Sequence, residues 1–332
     1  MIVRPHPSAV ELLFSCHGSI VPAILPQIIA AAALGAVAAF LADERANADV
    51  GSLFTFTPFT ALGVAISLFL GSRNNAAYAR WWEGRRQWGA QLIAVRNLGR
   101  LLSALQVPDD DRRALVRLSV AHAHATRAQL RAAWRGGRRS GGALRGRRGR
   151  TPTEPADGAD LVRERDGCLE PDERAAVAGL ANPADGILGL AAARLGAMHR
   201  REGGLDSVST VAVTQHLDIL GTVQGGAERI ATTPLPYAYQ LLVHRTAYLY
   251  VLLAPFAMAE EMGWFTPLFN AIIAYTFFGL DELSRQLASP FGEEPQCLAL
   301  SAICRTIEIS AAEALGDPAP APLTPDDKYN LM

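Results

Sequence analysis

Charge is missing from three long stretches of this 332-residue chain, residues 18–42, 50–72 and 262–280. Each matches the roughly 20 apolar residues needed to cross a hydrocarbon core about 30 Å thick, which excludes an ordinary soluble protein. A fourth apolar run, 235–259, is broken only by His244 and Arg245. The span it forms begins before the charged pair, and Arg245 snorkels to the interface or faces a polar interior. Cysteine is scarce: Cys16, Cys168, Cys297 and Cys304 form no CxxC pair. On segments expected to be cytoplasmic they stay reduced; Cys297 and Cys304, seven apart, could share a helix face, with packing the expected role.

Other absences exclude chemistry. There is no phosphate-cradling GxxxxGK[ST], no HExxH and no GxSxG turn, so no enzyme and no cofactor is expected. His122 and His124 are two apart, which sends them to different faces of a helix and argues against a metal held by that pair. No alternating strand pattern of useful length occurs, and the fold class predicted is all-α. Internal repeats and midplane charges, the marks of a secondary carrier, are also missing.

Signs at the ends of the spans set the orientation. The stretch "NNAAYARWWEGRRQWG" follows the second span with paired tryptophans and then arginines. Indole rings settle at the headgroup level and arginines on the cytoplasmic side. Arg4 before span one, Arg73, Arg80, Arg85 and Arg86 after span two, and Arg285 and Arg305 after span four place both termini and the long middle segment inside. The connectors oppose them: Asp43, Glu44 and Asp49 outweigh Arg45, and Glu260 and Glu261 stand alone. The polar lead containing Glu11 and His17, ahead of a long apolar run, argues against a cleaved signal peptide.

Four regions follow: 1–72 with the first two spans, 73–234 as a cytosolic helical region, 235–285 with spans three and four, and 286–332 as a cytosolic helix and tail. In the second, Leu92, Val95, Leu98, Leu102 and Leu105 recur at three and four, an amphipathic helix continuing from span two. Asp109, Asp110 and Asp111 suit the N-terminus of the next helix. Residues near 131–160 hold arginines and glycines with few large apolar groups, and predict a flexible loop. Nucleic-acid binding is not expected of it.

The blocks "TPFTALGVAISLFLGSRNNAAYARWWEGRRQWG", "ERIATTPLPYAYQLLVHRTAYLY" and "GLDELSRQLASPFGEEP" followed by "CRTIEI" resemble the bestrophin family, particularly its bacterial branch. The resemblance implies a homopentameric ion channel in the cell inner membrane, with the second helix of each subunit lining one central pore. Chloride or other anions are the expected permeants, with monovalent cations an alternative. A secondary carrier for bicarbonate or another small anion is the competing function.

By the same resemblance a hydrophobic neck falls at Val64, Leu68 and Ser72. Their spacing of four stacks them on nearly one face, so that five copies form rings able to gate by dewetting. Ser72 replaces an apolar residue of the family and predicts a wetter inner end. Asn74 and Asn75 either line the vestibule or serve as caps and interhelical hydrogen-bonding groups. Gly63 and Gly71 permit close helix packing. A cytosolic constriction is expected at Leu205 or Asp206; an axial Asp206 ring would favour cations. The acidic calcium clasp of animal members is reduced here to Glu293 and Glu294, too few ligands for calcium. Glu83, Arg85 and Arg86 read as a paired solvated face. Asp281 and Glu282 read as partners for arginines of the second helix.

Overall fold

The computed structural model describes residues 1–2, 11, 15, 18–47, 56–141, 158–327 and 329–331. Among them the chain is helical, with no β-strand and a single antiparallel bridge between Ile2 and Asn330. The helices are α1 (Val21–Asn47), α2 (Phe56–Ala104), α3 (Asp109–Gly141), α4 (Gly158–Gly167), α5 (Pro171–Ala178), α6 (Pro183–Arg200), α7 (Ser207–Thr232), α8 (Tyr237–Met262), α9 (Thr266–Leu287) and α10 (Leu300–Leu315). A 3₁₀ turn, Gly263–Phe265, joins α8 to α9. Cys16, Asp49 and residues 142–157 of the arginine-rich stretch lie outside the described residues.

Compactness divides the chain into two units. The first, here the apolar unit, comprises Arg4–Trp81 and Pro234–Ala288. Its core gathers Ile24 and Ala31 from α1, Ile66 and Leu70 from α2, Val243, Ala247, Tyr250 and Met258 from α8, and Ala274, Phe277 and Phe278 from α9. Small residues set the spacing. A Cβ on Gly35 would lie 2.7 Å from Pro267 Cα, so α1 and α9 meet backbone to backbone there. One turn away, buried Asn270 donates from Nδ2 to the Ala31 carbonyl oxygen at 2.8 Å. Gly63 makes room for the Tyr250 hydroxyl, 2.7 Å from where a Cβ would sit, whereas Gly71 meets no close contact among the described residues.

The second, polar unit comprises Met1–Val3, Trp82–Thr233 and Ser289–Met332. Val95, Leu98 and Leu102 are buried in its core with Trp88, Leu115, Leu118, Ile187 and Leu220, while Leu92 and Leu105 are half-buried at the edge of the stripe. Helix α3 begins at the aspartates, all three in its first turn where the helix dipole favours them, but Asp111 is also buried and accepts Arg194 Nε at 2.9 Å and the Arg201 guanidinium. The same helix continues to Gly141, so residues 131–141, expected in the flexible loop, are helical. Once nucleated, a long helix adds one hydrogen bond per residue, which outweighs the modest penalty of its glycines. The cysteines among the described residues are free thiols; Cys297 and Cys304 are both buried, but Cys297 lies in the bend before α10 begins at Leu300, so the two do not share a helix face.

The two histidines of α3 have opposite electrostatics. His122 is buried, with Nε2 donating to Gln224 Oε1 at 2.9 Å and Nδ1 facing Gln91 Nε2 at 3.3 Å, and burial lowers its pKa to about 4. For His124 burial opposes the charge, but Glu164 and Glu308 outweigh it and raise the pKa. Glu308 Oε1 lies 2.6 Å from Nε2. A group whose folded pKa is depressed below 6.5 makes the fold lose stability as pH falls from 6.5 to about 4; a raised one loses its contribution as pH rises above 6.5. Melting of the purified protein between pH 4.5 and 6.5 should therefore show Tm falling with acid, and His122→Gln should flatten that slope. An unchanged slope in the variant would remove His122 as its cause.

Candidate pore-lining site

Helix α2 carries two contrasting faces through the apolar unit. Ile66, Leu70, Arg73 and Ala77, spaced four, three and four apart, are buried against its other helices. At 100° per residue, positions 64, 68 and 72 project from the far side. Val64 is 59% and Leu68 71% exposed, and Ser72 is exposed as well. The three expected neck positions thus form one uncovered ladder. Asn75 is exposed beyond it, and half-buried Asn74 accepts a hydrogen bond from Ser284 Oγ at 3.3 Å through Oδ1. Asn74 has the interhelical bond of its second reading, and Asn75 has the exposure of its first.

Just past Ser72, buried Arg73 turns inward and pairs with Asp281 of α9. The other oxygen of Asp281 accepts from His244 Nδ1 of α8 at 2.9 Å. One carboxylate therefore ties three helices. Pairing between Asp281 and an arginine of α2 was legible in the sequence; the part played by His244 was not, although its interruption of an apolar run was the available signal. Glu282 instead binds within its own helix, accepting Arg285 Nη2 at 2.6 Å and Gln286 Nε2 at 2.9 Å. Arg80 donates from Nε to the Ala288 carbonyl oxygen at 2.7 Å. Trp81 stacks on Tyr78, with ring centroids 6.2 Å apart. Trp82 is 48% exposed.

In the polar unit, Glu83 accepts from Arg86 and from Gln87 Nε2 at 2.7 Å, a paired surface as expected. Half-buried Leu205 offers its carbonyl oxygen to His199 Nδ1 at 2.8 Å. Asp206 is the N-cap of α7: Oδ1 accepts from Val208 N at 2.8 Å and Ser209 N at 3.0 Å, and Oδ2 from Ser209 Oγ at 2.6 Å. The Ser209 hydroxyl, then these backbone donors, hold its carboxyl below the usual range. Replacing Asp206 by alanine should lower Tm, and Asp206→Asn should lower it much less, because asparagine also caps. If Asp206→Asn lowered Tm as far as alanine does, capping would not be its role.

The remnant of the acidic clasp does not fit calcium. Glu293 is engaged by Arg135 through Nε at 3.1 Å and Nη2 at 2.6 Å, which neutralises the charge a cation requires. Among the described residues no three His, Cys, Asp or Glu side chains gather as metal ligands.

The profile of the bacterial and fungal bestrophin proteins matches residues 1–313. The chain belongs to this family. A relative from Mesorhizobium japonicum, the voltage-dependent anion channel-forming protein mll4386, is 42% identical over 99% of this chain and 96% of its own length. The voltage-dependent anion channel-forming protein YneE of Escherichia coli K12 is 34% identical over the full length of both. The crystal structure of a bacterial bestrophin homologue from Klebsiella pneumoniae matches with a TM-score of 0.75 at 32% identity, covering 89% of this chain and 99% of that one.

Proposed function

We propose that this bestrophin is one subunit of a pentameric anion channel of the inner membrane, with α2 lining a central pore. The observation that carries the reading is the uncovered ladder Val64, Leu68, Ser72 on a helix whose opposite face is fully packed. Apolar groups on a spanning helix face lipid, a neighbour or a pore. Here the ladder ends in a serine and an exposed asparagine, Asn75, polar groups that a water-filled path accepts and lipid does not.

Two apolar segments, Val21–Glu44 and Tyr237–Leu287, are long enough to cross a membrane, and the second contains both α8 and α9. With the apolar start of α2 they make four spans. The arginines that follow α2's apolar part support a cytoplasmic position for the termini and the polar unit. Five copies would stack Leu68 into a ring that excludes water when narrow, and Val64 would form a second ring above it. Leu205, beside the α7 cap, is the candidate for a further constriction in the cytoplasmic path. The relatives named as anion channel-forming proteins support an anion as the permeant.

Reconstituted in liposomes with an iodide-quenched dye inside, the protein should let iodide in at a rate linear in concentration well into the millimolar range. A rate that saturates, with exchange of anions across the membrane, would instead identify a carrier. Native mass spectrometry of the same preparation should give five copies; a dimer or monomer as the largest species would remove the shared pore.

A further inference from the structure

Along α3, Arg127, Arg131 and Arg135 lie four residues apart, so successive members stack on one face. The outer two are matched. Arg127 pairs with Glu164 of α4, and Arg135 with Glu293. The middle one is not: Arg131 is 4% exposed, its Nη2 reaches only the Leu298 carbonyl oxygen at 3.5 Å, and its Nη1 has no hydrogen-bond partner among the described residues.

Its neighbours cannot supply the missing charge. Glu293 attracts Arg131 from a distance, but that carboxylate is already committed to Arg135. Burial pushes the nearby Cys297 thiol up to about 11, so it is neutral at physiological pH. Burial also lowers the pKa of Arg131 itself. A guanidinium keeps its proton nonetheless, and the relief open to a buried lysine, neutralisation, is closed to it. An isolated buried cation is costly unless something negative shares its site, and a buried polar group left bare in a native protein points to an ion or water there.

We propose that Arg131 holds a small inorganic anion, chloride under cellular conditions, in the polar unit. This is a structural site; it goes beyond the conduction pathway and does not depend on it.

The test is thermal unfolding of the purified protein as gluconate is replaced by chloride at constant ionic strength. A ligand that binds only the folded state raises Tm. Wild type should gain a few degrees along a saturating curve. Arg131→Gln should respond little, and Arg131→Lys should need more chloride. A wild-type Tm that ignores chloride, or a rise of the same size in Arg131→Gln, would overturn the site. Should Arg131→Gln fail to fold, bromide-soaked crystals of wild type decide. An anomalous peak within hydrogen-bond reach of Nη1 supports the proposal, and a water or nothing there overturns it. A chloride-dependent Tm in a protein that passes no current would keep this site and remove the channel reading.

Discussion

Asp281→Leu is expected to destabilise the protein by about 3–5 kcal/mol, because it leaves the buried Arg73 guanidinium without its counter-charge. It also strips His244 Nδ1 of its acceptor. The double variant Arg73→Met with Asp281→Leu should recover most of the loss, since a buried ion pair replaced as a whole by apolar groups of similar volume is often neutral. Unfolding of the detergent-solubilised protein measures both. A double variant no more stable than Asp281→Leu would show that the pair does not hold α2 to α9. The result matters for function because Arg73 directly follows Ser72, so the same contact fixes the rotation of α2 and hence which face carries Val64 and Leu68.

How far the sequence speaks depends on how locally the physics acts. Apolar runs, the three-and-four spacing of Val95, Leu98 and Leu102, and the aspartates at 109–111 at a helix start are patterns within one helix, and the structure carries each of them. The expected pairing of Asp281 with the second helix needed only the rule that a charge at the end of a span seeks a partner. Buried polar contacts are different. Asp111 is held by Arg194 and Arg201, and His122 by Gln224, partners about 80–100 residues away that no periodicity announces. Arg131 escaped for the opposite reason, as one arginine among many in a stretch whose composition resembles a loop. Asp206 illustrates a third case. An aspartate placed just before Ser207 and Ser209 is a local capping signal, and its carboxylate is spent on α7.

The second large effect concerns the ladder itself. Leu68→Asp should convert the ring at the middle of the neck from an apolar barrier into five carboxylates, wetting the pore and favouring cations. The expected readout is a reversal potential that changes sign under a salt gradient, with open probability raised severalfold. Because Leu68 is 71% exposed in the subunit, the substitution should not disturb its fold. A variant that folds, reconstitutes and keeps wild-type selectivity would place Leu68 outside the conduction path, facing lipid or a neighbouring helix.

The most direct measurement is a planar-bilayer recording under a potassium chloride gradient, comparing wild type with Leu68→Ala. The account predicts discrete currents in wild type that reverse toward the chloride equilibrium potential, and larger or more persistent currents of the same polarity when the neck is widened. Silence from both proteins, as intact oligomers in membranes shown to contain them, would contradict a pore along α2.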